Sequence, residues 1–171
     1  MLELLYQRRS VRKYQDKPIE EEKILMLKKS VLLSPSSRNR KSCEFVFVTN
    51  VDVIQSLAKT KPQGSSFIAG ASLIVVIVGR PDIAEPWIED CSIAATILQL
   101  SAEYLDLGSC WIQIRDREHN EQMSAEQYIQ NLLSIDEHKR IEALMSIGYP
   151  DEIKEPHIIS EEMFHKITDV K

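Results

Sequence analysis

Two short stretches of the chain hold residue types that bind anions. Arg8-Arg9-Ser10-Val11-Arg12 lies near the N-terminus, and Ser34-Pro35-Ser36-Ser37-Arg38-Asn39 follows after one intervening helical pattern. A guanidinium presents forked, charge-assisted donors that match phosphate oxygens, and a serine hydroxyl or backbone N–H fills the acceptor sites left over. Each such bond is worth about 1.5–3 kcal/mol. Three or four would hold a phosphorylated ligand at about micromolar affinity after ordering costs. Taken bare, Arg-Arg-Ser-x-Arg reads more readily as a solvated surface patch; its place after a first helix, with Pro-Ser-Ser-x-Asn after the next, is more specific. Other chemistries lack their residues. There is no Gly-x-Gly-x-x-Gly, Walker loop, Gly-x-Ser-x-Gly or His-Glu-x-x-His. His119, His138, His157 and His165 are scattered without ligand spacing, so no metal site is expected. Cys43, Cys91 and Cys110 are odd in number and sit in apolar or strand-like contexts, which reads as reduced packing residues.

The elements that must position these residues follow from pattern. Leu2 to Arg9 reads as a short helix, and Pro18 with Glu20, Glu21 and Glu22 opens a second, acidic where the helix dipole favours acid. Ile24, Leu27 and Val31 give it a core-facing stripe before the loop at Ser34 to Ser42. Phe45 to Val48 and Leu73 to Val78 are continuous apolar runs of the kind buried on both faces of a sheet. A short helix from about Asp52 to Ala58 lies between them, and a loop at Thr60 to Ser66 carries Lys61 and Gln63. Cys110 to Ile114 and Ile141 to Ile147 read as further strands, the latter with a pattern that also suits a helix, and Ser124 with Gln127 marks a capping-box helix start running to Leu133.

The longest element is the helix from Trp87, which meets no Pro or Gly between Ile88 and Leu107. Its apolar residues fall on nearly every face, which marks a buried helix. Pro86 suits a first helical position and Gly108 a left-handed cap. Asp90, Gln99, Glu103 and Asp106 argue against a membrane span. A domain of this size rarely surrounds so long a helix alone, so one side of it is expected to pack on a second subunit; a central helix inside a monomeric α/β domain is the alternative reading. Strands alternating with helices leave α/β and α+β both open.

Length bounds the rest. A chain of 171 residues, 43% hydrophobic, is one domain with room for a core, spanning 1–171 with 151–171 as a tail of little periodicity. That tail is expected to lie along a surface or reach a partner. The net charge of −5 argues against a general nucleic-acid binder. The opening MLELLYQRRS is helical rather than leader-like, so a cytoplasmic location is expected.

The ordered set of motifs resembles the FMN-dependent nitroreductases over nearly the whole chain to about Pro156. It consists of Arg8-Arg9-Ser10-Val11-Arg12-Lys13-Tyr14, Ser34-Pro35-Ser36-Ser37-Arg38-Asn39, the helix ending in Leu107-Gly108-Ser109-Cys110-Trp111, and Ile147-Gly148-Tyr149-Pro150. The resemblance implies an α+β three-layer fold with a central, mostly antiparallel sheet, and a homodimer with the long helices at its centre. It implies FMN as bound cofactor and NADH or NADPH as reductant. By the same resemblance Arg8, Arg9 and Ser10 hold the FMN phosphate and ribityl chain, and Arg12 approaches the pyrimidine edge. Pro35, Ser36, Ser37 and Asn39 cover the flavin from the other subunit, Leu107, Gly108 and Ser109 sit against the ring, and Lys61 and Gln63 make further ring contacts. Lys41-Ser42-Cys43 departs from the Gln-Pro-Trp of many members. The tail offers Lys154, His157, His165 and Lys166 where many members place an Arg or a basic pair.

The implied activity is ping-pong hydride transfer to a nitroaromatic or quinone-like oxidant, with no catalytic side chain. A flavin-dependent dehalogenase or dehydrogenase on the same fold is the second enzymatic reading. A flavin-binding dimer without turnover and a structural dimer with no ligand are the non-enzymatic ones.

Overall fold

The computed structural model describes residues 1–171. Its centre is a four-stranded sheet in the order β1-β2-β4-β3, every neighbouring pair antiparallel. These strands are β1 (Cys43–Val48), β2 (Leu73–Gly79), β3 (Gly108–Gln113) and β4 (Arg140–Gly148). The helices are α1 (Leu2–Gln7), α2 (Glu21–Leu32), α3 (Val51–Leu57), α4 (Trp87–Tyr104) and α5 (Ala125–Leu133). Short 3-10 turns lie at Ser37–Asn39, Ser66–Gly70 and Glu161–Lys166. The antiparallel ladder with helices on both faces settles the α/β-or-α+β alternative as α+β, in three layers.

Strand periodicity explains the layers. Successive side chains of a strand point to opposite faces. Leu73, Val75 and Ile77 therefore join α2 and α4 in one core, with Leu27, Ala95, Leu98 and Met145. Ile74, Val76 and Val78 join α3 and α5 in the other, with Leu57, Ile129, Ile141 and Leu144. A strand apolar at every position is the natural partner of two helical layers, and β2 is buried throughout. The same expectation for Phe45 to Val48 needs correction. β1 is an edge strand and only Val48 in it is fully buried, because no strand pairs with its outer side.

Helix α4 lies on the sheet through small residues. Ala94, Ala95 and Ala102 are wholly buried with Leu98 between them, which lets the helix backbone approach the strands. Trp87 packs where a side chain on Gly79 would stand, so a glycine is needed at that strand end. Two sequence-based expectations shift here. Pro86 is the cap residue and not the first helical one. The left-handed residue that ends the helix is Asp106, at φ 60, and Gly108 already belongs to β3. A short Asp side chain that can hydrogen-bond locally tolerates that conformation.

The all-round apolar character of α4 is not matched by all-round burial within one chain. Ile93 is 42% and Tyr104 69% exposed, and Ile97 and Leu100 between them are only partly covered. Spacings of four, three and four residues put these side chains on one stripe. α5 starts as its sequence dictates, with both hydrogen bonds of the Ser124–Gln127 capping box formed. Beyond Asp151 the chain lies on the outside, and every residue but Glu152 is exposed, including Ile153, Ile158, Met163, Phe164, Ile167 and Val170. No helix is long and apolar enough to cross a membrane.

Candidate functional site

The segment after α1 runs beside β3. Ser10 forms a parallel bridge with Ser109, and the Val11 N–H donates to the Ser109 carbonyl at 3.0 Å. This contact demands a glycine, since a side chain at Gly108 would meet the Val11 side chain at 2.8 Å. Tyr14 secures the far end of the segment. Its hydroxyl donates to the Val11 carbonyl and meets Ser146 Oγ, both at 2.7 Å, and burial pushes its phenol well above the usual range.

The Arg12 guanidinium lies over the Phe67 ring, 5.8 Å from its centroid, rather than on a carboxylate. Burial pushes the Cys110 thiol up, while Arg12, Ser10 and Arg8 beside it pull the other way. At the far end of the strand Lys61 Nζ donates to the Gln113 carbonyl at 3.0 Å. Burial lowers the Lys61 ammonium, and nearby Arg117 adds to the effect. Gln63, placed with it in the sequence reading, is exposed and joins none of these contacts.

The tail closes the strip at its other end. Arg9 donates to the Glu155 carbonyl, and the Tyr6 carbonyl accepts from the His157 N–H at 2.8 Å. Glu152 is the residue the sequence reading missed. Its Oε1 accepts the Arg12 N–H at 2.6 Å and the Lys13 N–H at 3.3 Å, and its Oε2 meets Lys154 Nζ at 2.8 Å. A groove of about 280 Å³ results, lined by Arg9, Leu107, Gly108, Glu152 and Lys154 among others. Lys154 therefore stands beside the arginines, as its proposed substitution for a missing basic residue requires. His165 and Lys166 fall in the outlying 3-10 turn.

The second cluster sits elsewhere. Pro35, Ser36, Ser37 and Asn39 form a loop at the N-terminal end of α4, fastened by Asp90. Asp90 is 3% exposed; its Oδ1 accepts the Ser37 N–H at 2.8 Å and its Oδ2 the Ser42 hydroxyl at 2.6 Å. Three non-glycine residues of the loop hold left-handed backbone, Arg38 at φ 51, Asn39 at φ 56 and Lys41 at φ 53. Strain of this kind persists where surrounding bonds over-determine it. Ser36 Oγ accepts the Lys41 N–H at 2.9 Å, and Lys41 Nζ donates to the Ser34 carbonyl at 2.9 Å. Lys41 and Ser42, two of the three departures from the family pattern, are thus what hold the loop's shape. Asp90 stands beside Glu89 in the first turn of α4, and only its burial, at 3% exposure, separates the two.

These two clusters are not one site within a chain. From Asp90 to Leu105 the helix advances about 22 Å, so the Pro35–Asn39 loop and the Arg8–Arg12 strip stand near opposite ends of α4.

Comparison with known proteins now bears on this geometry. A family model described as "Nitroreductase family" matches residues 5–63 and 59–149. A protein of Archaeoglobus fulgidus named "Putative NADH dehydrogenase/NAD(P)H nitroreductase" is 30% identical over 158 residues, covering 90% of this chain and 87% of its own. A Methanothermobacter thermautotrophicus protein of the same name is 28% identical over 155 residues, 89% of this chain and 78% of that one. Among solved structures, an FMN-dependent nitroreductase from Clostridium difficile R20291 superposes with a TM-score of 0.96 at 37% identity, covering 100% of this chain and 99% of that one.

Replacing Asp90 by Ala leaves the Ser37 N–H and the Ser42 hydroxyl without their acceptor in a buried place. A loss of about 2–4 kcal/mol is expected in urea unfolding. Trypsin should cut the native variant faster after Arg38, Arg40 or Lys41; unchanged cleavage there would mean that Asp90 does not hold the loop. The Arg12 N–H, with Lys154 assisting, pulls the Glu152 carboxyl down to about 2 from 4.5. A depressed carboxyl stabilises the fold above its unfolded value, so its contribution is present above pH 4.5 and is lost as pH falls toward about 2. An NMR titration of the Glu152 carboxyl carbon with a midpoint near 4.5 would show that the tail does not dock there.

Proposed function

Because the chain belongs to the nitroreductase family, we propose that it is an FMN-dependent NAD(P)H oxidoreductase, acting as a cytoplasmic homodimer on nitroaromatic or quinone-like acceptors. The observation that carries this reading is the Arg8–Arg12 segment laid along Ser109, with Lys61 at one end of β3 and Lys154 near the other. The donor chemistry fits FMN: guanidinium forks and a hydroxyl for its phosphate and ribityl chain, and a cation for its ring. Arg8, Arg9 and Ser10 take the phosphate and ribityl groups, with Lys154 supplying the basic residue of the tail. Arg12 takes the pyrimidine edge, where a fixed cation favours negative charge. Lys61 serves the ring from the other end of β3, and Leu107, Gly108 and Ser109 form the wall behind it. When bound, FMN supplies the hydride transfer between NADH or NADPH and the acceptor. The chain's own residues bind, orient and tune; no side chain is assigned as acid, base or nucleophile.

Two features support the dimer. The stripe Ile93, Ile97, Leu100 and Tyr104 on α4 is only partly covered by its own chain, and α1 adds exposed Leu2 and Leu5. The two anion-friendly clusters stand at opposite ends of α4, so antiparallel packing of two copies about a two-fold axis brings the Pro35, Ser36, Ser37 and Asn39 loop of one beside the strip of the other. The tail, residues 151–171, whose Ile153, Ile158, Phe164 and Ile167 are exposed, then has a partner surface to lie on. A shared face for reductant and oxidant gives ping-pong turnover.

The purified protein is expected to be yellow, to bleach anaerobically with NADH or NADPH, and to recover colour with a nitroaromatic or quinone. Its double-reciprocal plots should be parallel, and Arg8→Ala or Ser10→Ala should weaken FMN binding on the order of 10–100-fold. Colourless protein that takes up no added FMN refutes the cofactor. Ile93→Glu should yield monomers in sedimentation and release the flavin with them; monomers that keep it would remove the partner's loop from the site.

A further inference from the structure

The third departure from the family pattern, Cys43, has a neighbour that the flavin site does not explain. All three cysteines are free thiols, and Cys43 Sγ lies 3.1 Å from Cys91 Sγ. Cys43 opens β1 and Cys91 lies in the second turn of α4, residues far apart in sequence. Closing the pair to a bond of about 2 Å asks for about 1 Å of side-chain movement. Each cysteine directly follows a residue of the loop anchor, Ser42 and Asp90, which are themselves hydrogen-bonded at 2.6 Å. The two backbones are thus already clamped in register for the thiols to meet.

We propose that Cys43 and Cys91 form a peroxide-oxidisable dithiol pair that closes to an intramolecular disulfide and staples the base of the Ser34–Ser42 loop to α4. The roles differ by exposure. Cys91 is wholly buried, whereas Cys43 is half-buried and lines a cavity of about 130 Å³ with Ser34, Ser36 and Lys41, which gives a small oxidant access. The hydrogen bond from Cys91 holds the Cys43 thiol below its usual range, burial and Asp90 working against it, while Cys91 is driven up by the same bond and by burial. Cys43 is accordingly the attacking thiolate and Cys91 the thiol that resolves.

In the first step Cys43 thiolate attacks hydrogen peroxide; an S–O bond forms, the O–O bond breaks, and hydroxide leaves, so the sulfur becomes a sulfenic acid. Cys91 then loses its proton and attacks that sulfur; the S–O bond breaks and water departs. Two thiols are oxidised, and one peroxide is reduced to two waters. A small dithiol reverses the reaction by exchange. The oxidised chain closes a long loop between β1 and α4, which raises Tm on the order of 5–10 °C. Tryptic cutting of the native loop after Arg38, Arg40 and Lys41 slows with it.

The test uses the full chain treated with stoichiometric hydrogen peroxide, alkylated without reductant and mapped by mass spectrometry. Expected is a mass loss of about 2 Da per chain, a linked pair of peptides carrying Cys43 and Cys91, an alkylated Cys110, and recovery of all thiols with dithiothreitol. In Cys91→Ser the oxidation should stop at a Cys43 sulfenic acid that dimedone traps. The thiol readout does not depend on flavin, so a colourless protein leaves it intact. Three results would each overturn the proposal: Cys43 passing to sulfinic or sulfonic acid with Cys91 still free, a bond between chains through Cys43, or both thiols surviving peroxide that oxidises exposed methionines. If Cys91→Ser fails to fold, the wild-type map alone decides.

Discussion

A helix needs its apolar surface covered, and α4 carries more of it than one chain covers. One side is spent on the sheet, where Ala95, Leu98 and Ala102 reach complete burial in one core with residues of β2 and β4. The stripe from Ile93 to Tyr104 remains, together with exposed apolar residues on α1, on α2 and along the tail. At about 25 cal/mol per Å² of apolar surface, covering such a stripe against a further apolar surface is favourable. Much of the remaining architecture can be read as consequence: the sheet supplies a floor for one face, and the site clusters sit at the two ends of the same helix.

The two ends of α4 are built differently. At the N-terminal end a buried carboxylate, Asp90, gathers two donors from the following loop and holds three left-handed residues in place. At the C-terminal end the chain turns through Asp106 into β3, and the strand is then flanked by a cationic segment whose backbone it supports. The first end is rigid through hydrogen bonds, the second through the close fit of Val11 on Gly108.

Lys41, Ser42 and Cys43 illustrate how a departure from a family pattern acquires meaning. Lys41 ties the loop to Ser34, Ser42 donates to Asp90, and Cys43 faces Cys91. The three residues form one fastening between loop, edge strand and central helix. Polar and thiol contacts here replace the packing that a Pro and a Trp would give.

The cationic Arg8–Arg12 cluster, the fully buried strand β2, the capped helix at Ser124 and the long apolar helix were all legible before any coordinates, because each rests on local periodicity or on donor chemistry carried by neighbouring residues. The edge position of β1 was not, since Phe45-Val46-Phe47-Val48 is as apolar as a central strand and only pairing order distinguishes them. Gly108 looked like a cap and proved to be a seat for Val11, a contact across nearly a hundred residues that no local rule reports. Asp90 and Glu152 were visible as residues but not as anchors, because the N–H groups they bind belong to distant segments. The amino-acid order by itself determined which faces are apolar, where helices and strands begin, and which side chains can grip a phosphate. The tertiary structure alone decided which of those faces meet and which stay open, because long-range pairing depends on the whole set of competing contacts rather than on any one stretch of chain.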